Sequence, residues 1–202
     1  MKTFVRRMLT AGAAALVYAC NSESPVSVTP GVIDFETFPD GAPACDYCAL
    51  TNQFASRGVV FSFSPLTHCE FNDGKPKLFL SSSVYDEAGG PANHSVTAAG
   101  PPGAGGCSGI VHATFSGSPG TVTFRVRGNN DVRTYPVNAF DASGALIVPT
   151  GHIARRESTF TSVSGFLFRE ETITISTEAG IGRVDLVMNQ FLVLLDNMLI
   201  MP

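Results

Sequence analysis

Cysteine is the residue type whose spacing promises most chemistry in this chain, and there are five. Cys20 stands apart, directly after an apolar stretch, whereas Cys45, Cys48, Cys69 and Cys107 lie farther along. Cys45 and Cys48 form a Cys-x-x-Cys pair within Ala-Cys-Asp-Tyr-Cys-Ala. Such a pair exchanges thiols when it opens a helix after a strand. Here it lies among Pro39, Gly41 and Pro43, a context that argues against redox use. A zinc site built from these cysteines, with His68 as a further ligand, lacks the second close ligand pair that structural zinc sites carry. Disulfides are the simpler reading: with Cys20 set aside the even remainder suggests two, and all three pairings stay open.

The other chemistry-bearing residues are dispersed. His68, His94, His112 and His152 show no ligand spacing, and no Gly-x-Ser-x-Gly elbow, His-Glu-x-x-His pair or phosphate-cradling loop occurs. His112 falls in the alternating stretch 110–115, where an outward polar position on a strand accounts for it. Asp34, Glu36, Asp185 and Asp196 offer carboxylate pairs for glycoside hydrolysis, but only their separation in space could say so. With no Trp and four Tyr, the resources for stacking against a sugar ring are few. Tyr47, Tyr85 and Tyr135 sit in loop-like contexts beside Asp46, Asp86 and Arg133 and are the candidates for exposed ligand contact. A tyrosine that packs its ring and leaves its hydroxyl wet is the alternative for each. No catalytic constellation is expected.

The segments that position these residues begin with residues 1–19. Lys2, Arg6 and Arg7 precede an apolar run from Met8 to Ala19, the layout of an export signal. The run is too short to span a bilayer core, which takes roughly 20 residues. The stretch Leu16-Val17-Tyr18-Ala19-Cys20 resembles the lipobox of bacterial lipoproteins, and that resemblance implies acylation of Cys20 and anchorage to a lipid bilayer. Two or more acyl chains hold a protein on a membrane far more durably than one. Asn21 after that cysteine resembles the outer-membrane sorting pattern, should the host have two membranes. Residues 20–30 then read as lipidated cysteine and extended tether, polar and punctuated by Pro25 and Pro30. Charged residues are 15% of the chain and the net charge is -4, so no basic surface exists to neutralise a nucleic-acid backbone.

From residue 31 to 202 the pattern is one all-β domain. Thr121 to Arg127 sends Val122, Phe124 and Val126 to one face and Thr123, Arg125 and Arg127 to the other, a half-buried strand. Ile173 and Ile175 alternate in the same way, as do Val184, Leu186 and Met188. Further strands are expected at 32–35, 59–63, 77–80, 110–115, 137–141, 159–163 and 193–200. About ten strands in one domain call for two packed sheets. Reversals are expected at 127–131 and 141–144, and the Gly- and Pro-rich stretch 88–109 reads as an exposed loop. No helical stripe or internal repeat is visible beyond the signal.

Val32-Ile33-Asp34-Phe35-Glu36, Pro39-Asp40-Gly41, Leu50-Thr51-Asn52-Gln53-Phe54-Ala55, Gly58-Val59-Val60-Phe61-Ser62, Val137-Asn138-Ala139-Phe140-Asp141-Ala142-Ser143-Gly144, Gly180-Ile181-Gly182-Arg183-Val184 and Leu195-Asp196-Asn197-Met198 are together similar to bacterial secreted β-sandwich domains. Those are the jelly-roll, galactose-binding-like and carbohydrate-binding-module domains common among exosortase-sorted surface proteins. The cysteine-bearing stretch 44–49 departs from that pattern. The resemblance implies a two-sheet antiparallel sandwich and a structural calcium where the first strands meet the last, at Glu36, Asp40 and Asp196. It implies a fold more than a function, and the leading reading is a non-catalytic module for a glycan or another extracellular ligand. A protein-interaction or structural envelope component, and a polysaccharide hydrolase or lyase, are the alternatives, since one sandwich hosts many functions.

Overall fold

The computed structural model describes residues 31–66, 78–82, 94–98, 108–129, 136–148, 155–163, 166–188 and 194–202. The expected export signal, Cys20 and the expected tether lie outside the described residues, as do Cys69, Cys107, Tyr85, Tyr135, His68 and His152. The described strands are β1 (Gly31–Ile33), β2 (Cys48–Leu50), β3 (Val59–Pro65), β4 (Leu78–Ser82), β5 (His94–Thr97), β6 (Gly109–Phe115), β7 (Thr121–Asn129), β8 (Val137–Phe140), β9 (Leu146–Val148), β10 (Arg155–Val163), β11 (Phe166–Ser176), β12 (Arg183–Met188) and β13 (Leu194–Met201). One 3-10 turn, Ala55–Arg57, is the only helical element among the described residues.

The strands form two sheets. The larger has eight strands in the order β10-β11-β7-β13-β5-β4-β2, with β1 also paired to β13; the smaller has five, in the order β3-β6-β12-β8-β9. Every pairing is antiparallel. The protein is thus an all-β, two-sheet antiparallel sandwich, in which alternation sends one set of side chains inward from each sheet. Val122, Phe124, Val126, Ile173 and Ile175 of the larger sheet and Val184, Leu186 and Met188 of the smaller belong to a single buried core. Phe35, Phe54 and Phe61 meet edge to face in it, with ring centroids 5.3 to 6.4 Å apart.

Phe35 reaches that cluster by an uncommon route. It is wholly buried yet holds a left-handed backbone, φ 63°, a conformation that costs an L-residue roughly 1–2 kcal/mol. Burying the ring contributes about 1.5–3 kcal/mol, enough to offset it. Asp34 Oδ1 accepts the Glu36 N–H at 3.1 Å across the bend. Packing and a local side-chain bond therefore hold a turn that backbone preference disfavours.

A second irregularity lies in β13. Asp196 stands opposite Arg125 and Leu199 opposite Thr123, so β13 carries one extra residue there. Asn197 occupies the bulge with φ 46°, which asparagine tolerates better than most residues. Before the bulge Leu195 points inward, and after it Met198 and Ile200 do.

Several expectations need correction. The stretch 88–109 contains β5, in which Ser95, Val96 and Thr97 are buried: a four-residue strand flanked by Gly and Pro leaves too short a pattern to stand out. The chain does not reverse at Arg127, because β7 runs on to Asn129, paired with Phe168. β10 begins at Arg155 rather than 159, and β2 and β9, three residues each, were too short to show alternation. The reversal at 141–144 is present: Gly144 has φ 86°, and Asp141 Oδ1 accepts the N–H of Ser143 and of Ala145 at 2.8 and 2.9 Å.

Candidate functional site

Outward-facing positions of the larger sheet carry a polar row across neighbouring strands. At its centre Glu170 of β11 accepts from two arginines of β7. Arg125 donates through Nε and Nη2 to Oε1 at 3.2 and 2.7 Å, and Arg127 donates through Nε and Nη2 to Oε2 at 3.2 and 2.9 Å. Strand alternation explains the convergence, since Arg125 and Arg127 share the face opposite Val126 and Glu170 is the cross-strand partner of Arg127. Burial alone would raise the Glu170 carboxyl; hydrogen bonds from Arg125 and Arg127, together with their charges, outweigh it and hold the carboxyl below its ordinary range. Farther along the same face, Thr123 and Thr174 hydroxyls lie 3.1 Å apart and Thr121 and Ser176 hydroxyls 3.0 Å apart.

On the other side of β7, Asp196 of β13 stands opposite Arg125. Asn197 donates to it twice, from its backbone N to Oδ1 at 2.7 Å and from Nδ2 to Oδ2 at 2.9 Å. Burial pushes the Asp196 carboxyl up to about 6, with the Glu36 charge adding to the rise and the Asn197 N–H, Arg125 and Arg127 opposing it. Glu36, just past β1, accepts the His94 backbone N–H at Oε1, and His94 Nδ1 lies 2.9 Å from Glu36 Oε2. The two irregular backbones, at Asn197 and at Phe35 beside Glu36, both border this corner.

Of the three carboxylates assigned to calcium, Glu36 and Asp196 lie within electrostatic reach of one another. Asp40 instead accepts the Ala42 N–H at 3.0 Å in its own turn. Glu36 is engaged by His94 and Asp196 by Asn197, and no group of three or more His, Cys, Asp or Glu placed to hold a metal occurs among the described residues.

Cys45 and Cys48 are disulfide-bonded, with Cα atoms 5.4 Å apart, a spacing ordinary for the bond. Between them Tyr47 adopts φ 56° and packs in part against the core. No helix follows the pair; β2 begins at Cys48 itself.

The smaller sheet also carries polar side chains outward. His112 of β6 sits between β3 and β12, with Nδ1 2.7 Å from Asp185 Oδ1 and Nε2 2.8 Å from Ser64 Oγ. Arg183 Nε approaches the same Asp185 oxygen at 2.9 Å, without hydrogen-bond alignment, and its guanidinium lies 4.3 Å from the Phe140 ring centroid. Alternation places His112 outward, as its strand position suggested. Its partners are 48 and 73 residues away in sequence, and no local spacing signals them.

No protein-family model matches the chain, and no curated protein is significantly similar to it. Among solved structures it is similar to the K1 cleaved adhesin domain of Lys-gingipain from Porphyromonas gingivalis W83, at 17% identity and a TM-score of 0.42, over 85% of this chain and 97% of that one. A likeness that slight does not bear on what this protein does. No helix among the described residues is long and apolar enough to cross a membrane.

Proposed function

We propose that this protein is an extracytoplasmic lipoprotein, fastened to a bilayer through acylated Cys20, whose larger sheet binds a hydroxyl-rich extracellular ligand, a glycan first of all. The observation that supports it is the polar row itself. Arg125, Arg127 and Glu170 are locked to one another, and Asp196 is braced by Asn197. Fixed donors and acceptors on strands lose little freedom when a ligand's hydroxyls replace water against them. At this face the role is recognition: among the described residues there, nothing pairs a nucleophile with a base. Tyr85 and Tyr135, and the exposed part of Tyr47, are the aromatic groups proposed to add contact.

A glycan array carrying plant, algal and bacterial polysaccharides, probed with the purified protein, tests the reading. Binding should appear for at least one class and weaken about tenfold or more in Arg127→Ala, as expected when a charged hydrogen bond worth about 1.5–3 kcal/mol is lost. Silence across the array, with a protein partner recovered instead, would favour an interaction role. For the anchor, palmitate should label the wild type and not Cys20→Ser; equal labelling defeats it.

A further inference from the structure

The hydrogen-bonded line Ser64, His112, Asp185 on the smaller sheet has the form of a charge-relay triad. The Ser64 Oγ to His112 Nε2 distance is 2.8 Å and the His112 Nδ1 to Asp185 Oδ1 distance is 2.7 Å. A carboxylate on Nδ1 fixes the tautomer that keeps its proton there, which leaves the Nε2 lone pair facing the serine hydroxyl. Exposure is graded in the order such chemistry needs: Ser64 is at the surface, the His112 side chain is 18% exposed and that of Asp185 9%. The three come from three adjacent strands, β3, β6 and β12, of one ladder, so the sheet itself sets their spacing. Triads are recognised by geometry and role rather than by order in the chain.

A cleft opens along the same edge strand, lined by Ser62 rather than by any of the three. Between the edge strand β3 and the strands β2 and β4 lies a cleft of about 560 Å3, lined by Leu50, Val60, Phe61, Phe63 and Leu78 with the hydroxyl-bearing Ser62 among them. Ser62 is two residues from Ser64 on the same face of β3, where alternation places both outward. Apolar walls beside a surface serine suit an ester with an apolar acyl or alcohol part.

The geometry points to a second, chemically active site here: an acyl-transfer centre with Ser64 as nucleophile, His112 as general base and Asp185 as positioning residue, acting on carboxylic esters. Ser64 Oγ attacks the ester carbonyl carbon and its proton passes to Nε2. The C–O bond to the alcohol breaks, and the alcohol leaves with that proton. Water then attacks the acyl-Ser64 carbonyl, giving one proton to Nε2, which returns it to Oγ as the carboxylic acid departs. The sum is ester plus water to acid plus alcohol. Strand N–H groups lie in the plane of the sheet rather than above its face, so they build no oxyanion hole over Ser64. That loss costs about a hundredfold or more in rate, and covalent capture of the serine is therefore the sensitive readout.

The purified full chain is incubated with a fluorophosphonate probe and the modified residue located by tandem mass spectrometry. Ser64 should be labelled and Ser62 not. In His112→Gln, which can still bridge Ser64 and Asp185 by hydrogen bonds but is no base, labelling should slow about a hundredfold, the usual size of general-base assistance. In Asp185→Asn it should slow by about tenfold or more at unchanged thermal midpoint, a change that a purely structural carboxylate would not produce. Absence of label on Ser64, or equal labelling in His112→Gln, would overturn the proposal. The glycan-binding reading concerns the opposite sheet and stands or falls separately.

Discussion

At the scale of single residues, Asp196 carries the most testable burden. Its folded-state carboxyl is pushed up to about 6 from the ordinary 3.8, burial being the main cause. The sign follows from linkage: a raised folded value means that stability from this group is full below the ordinary value and is lost as pH rises through about 6. Each pKa unit is worth about 1.4 kcal/mol, so the loss is at most about 3 kcal/mol in all, about half of it above pH 5. Thermal midpoints measured between pH 5 and 8 should fall in the wild type and stay flatter in Asp196→Asn, which keeps an oxygen for the Asn197 N–H. A parallel fall in both would reject the assignment. Glu170, held low by its arginines, acts in the opposite direction and only at more acid pH, outside that window. In the sequence, Arg125 and Arg127 were legible as outward residues, and Asp196 and Glu36 stood out through family resemblance. Glu170 was not singled out, because the register between β7 and β11 that brings it to the arginines is not written in either strand alone.

At the scale of elements, the long alternating strands were legible, whereas the short β2, β5 and β9 were not. Thr121 to Arg127 announced itself because an apolar side chain on one face and a polar one on the other repeat three times over. Cys48–Leu50 and Leu146–Val148 offer only three residues each, less than two periods of the pattern. The bend after β1 was hidden for a different reason: nothing in Asp34-Phe35-Glu36 forecasts a left-handed phenylalanine, since only the distant Phe54 and Phe61 rings reward it. Phe35→Ala should therefore cost about 3–5 kcal/mol by urea denaturation, the usual range for emptying a buried aromatic site. It should also weaken any ligand binding that depends on Glu36 and His94. Gly180, between β11 and β12, has φ 74°, and a Cβ there would lie 2.8 Å from the Ser118 carbonyl oxygen. Strain and collision act together at that turn.

At the scale of the whole molecule, one apolar interior joins both sheets, from Leu50 and Val96 to Val137 and Met188. Among the described residues neither sheet has a core of its own, so far-ultraviolet circular dichroism and tyrosine fluorescence should report one coincident unfolding transition. Two separated transitions would mean that the sheets hold together independently. The two-sheet count was legible from strand number alone, whereas the order of strands was not, because pairings such as β7 with β13 span long stretches of chain. The extra residue at 196–199 has an evolutionary consequence for the last strand. The bulge absorbs one residue without changing the faces: delete Asn197, and plain alternation keeps Met198 and Ile200 inward and Leu199 and Met201 outward. The carboxyl-terminal strand can therefore lose a single codon there and still offer the same oil to the interior. The same deletion ahead of Thr172 and Thr174 would drive hydroxyls into it, and descendants of this protein should tolerate length changes at the first place and lack them at the second.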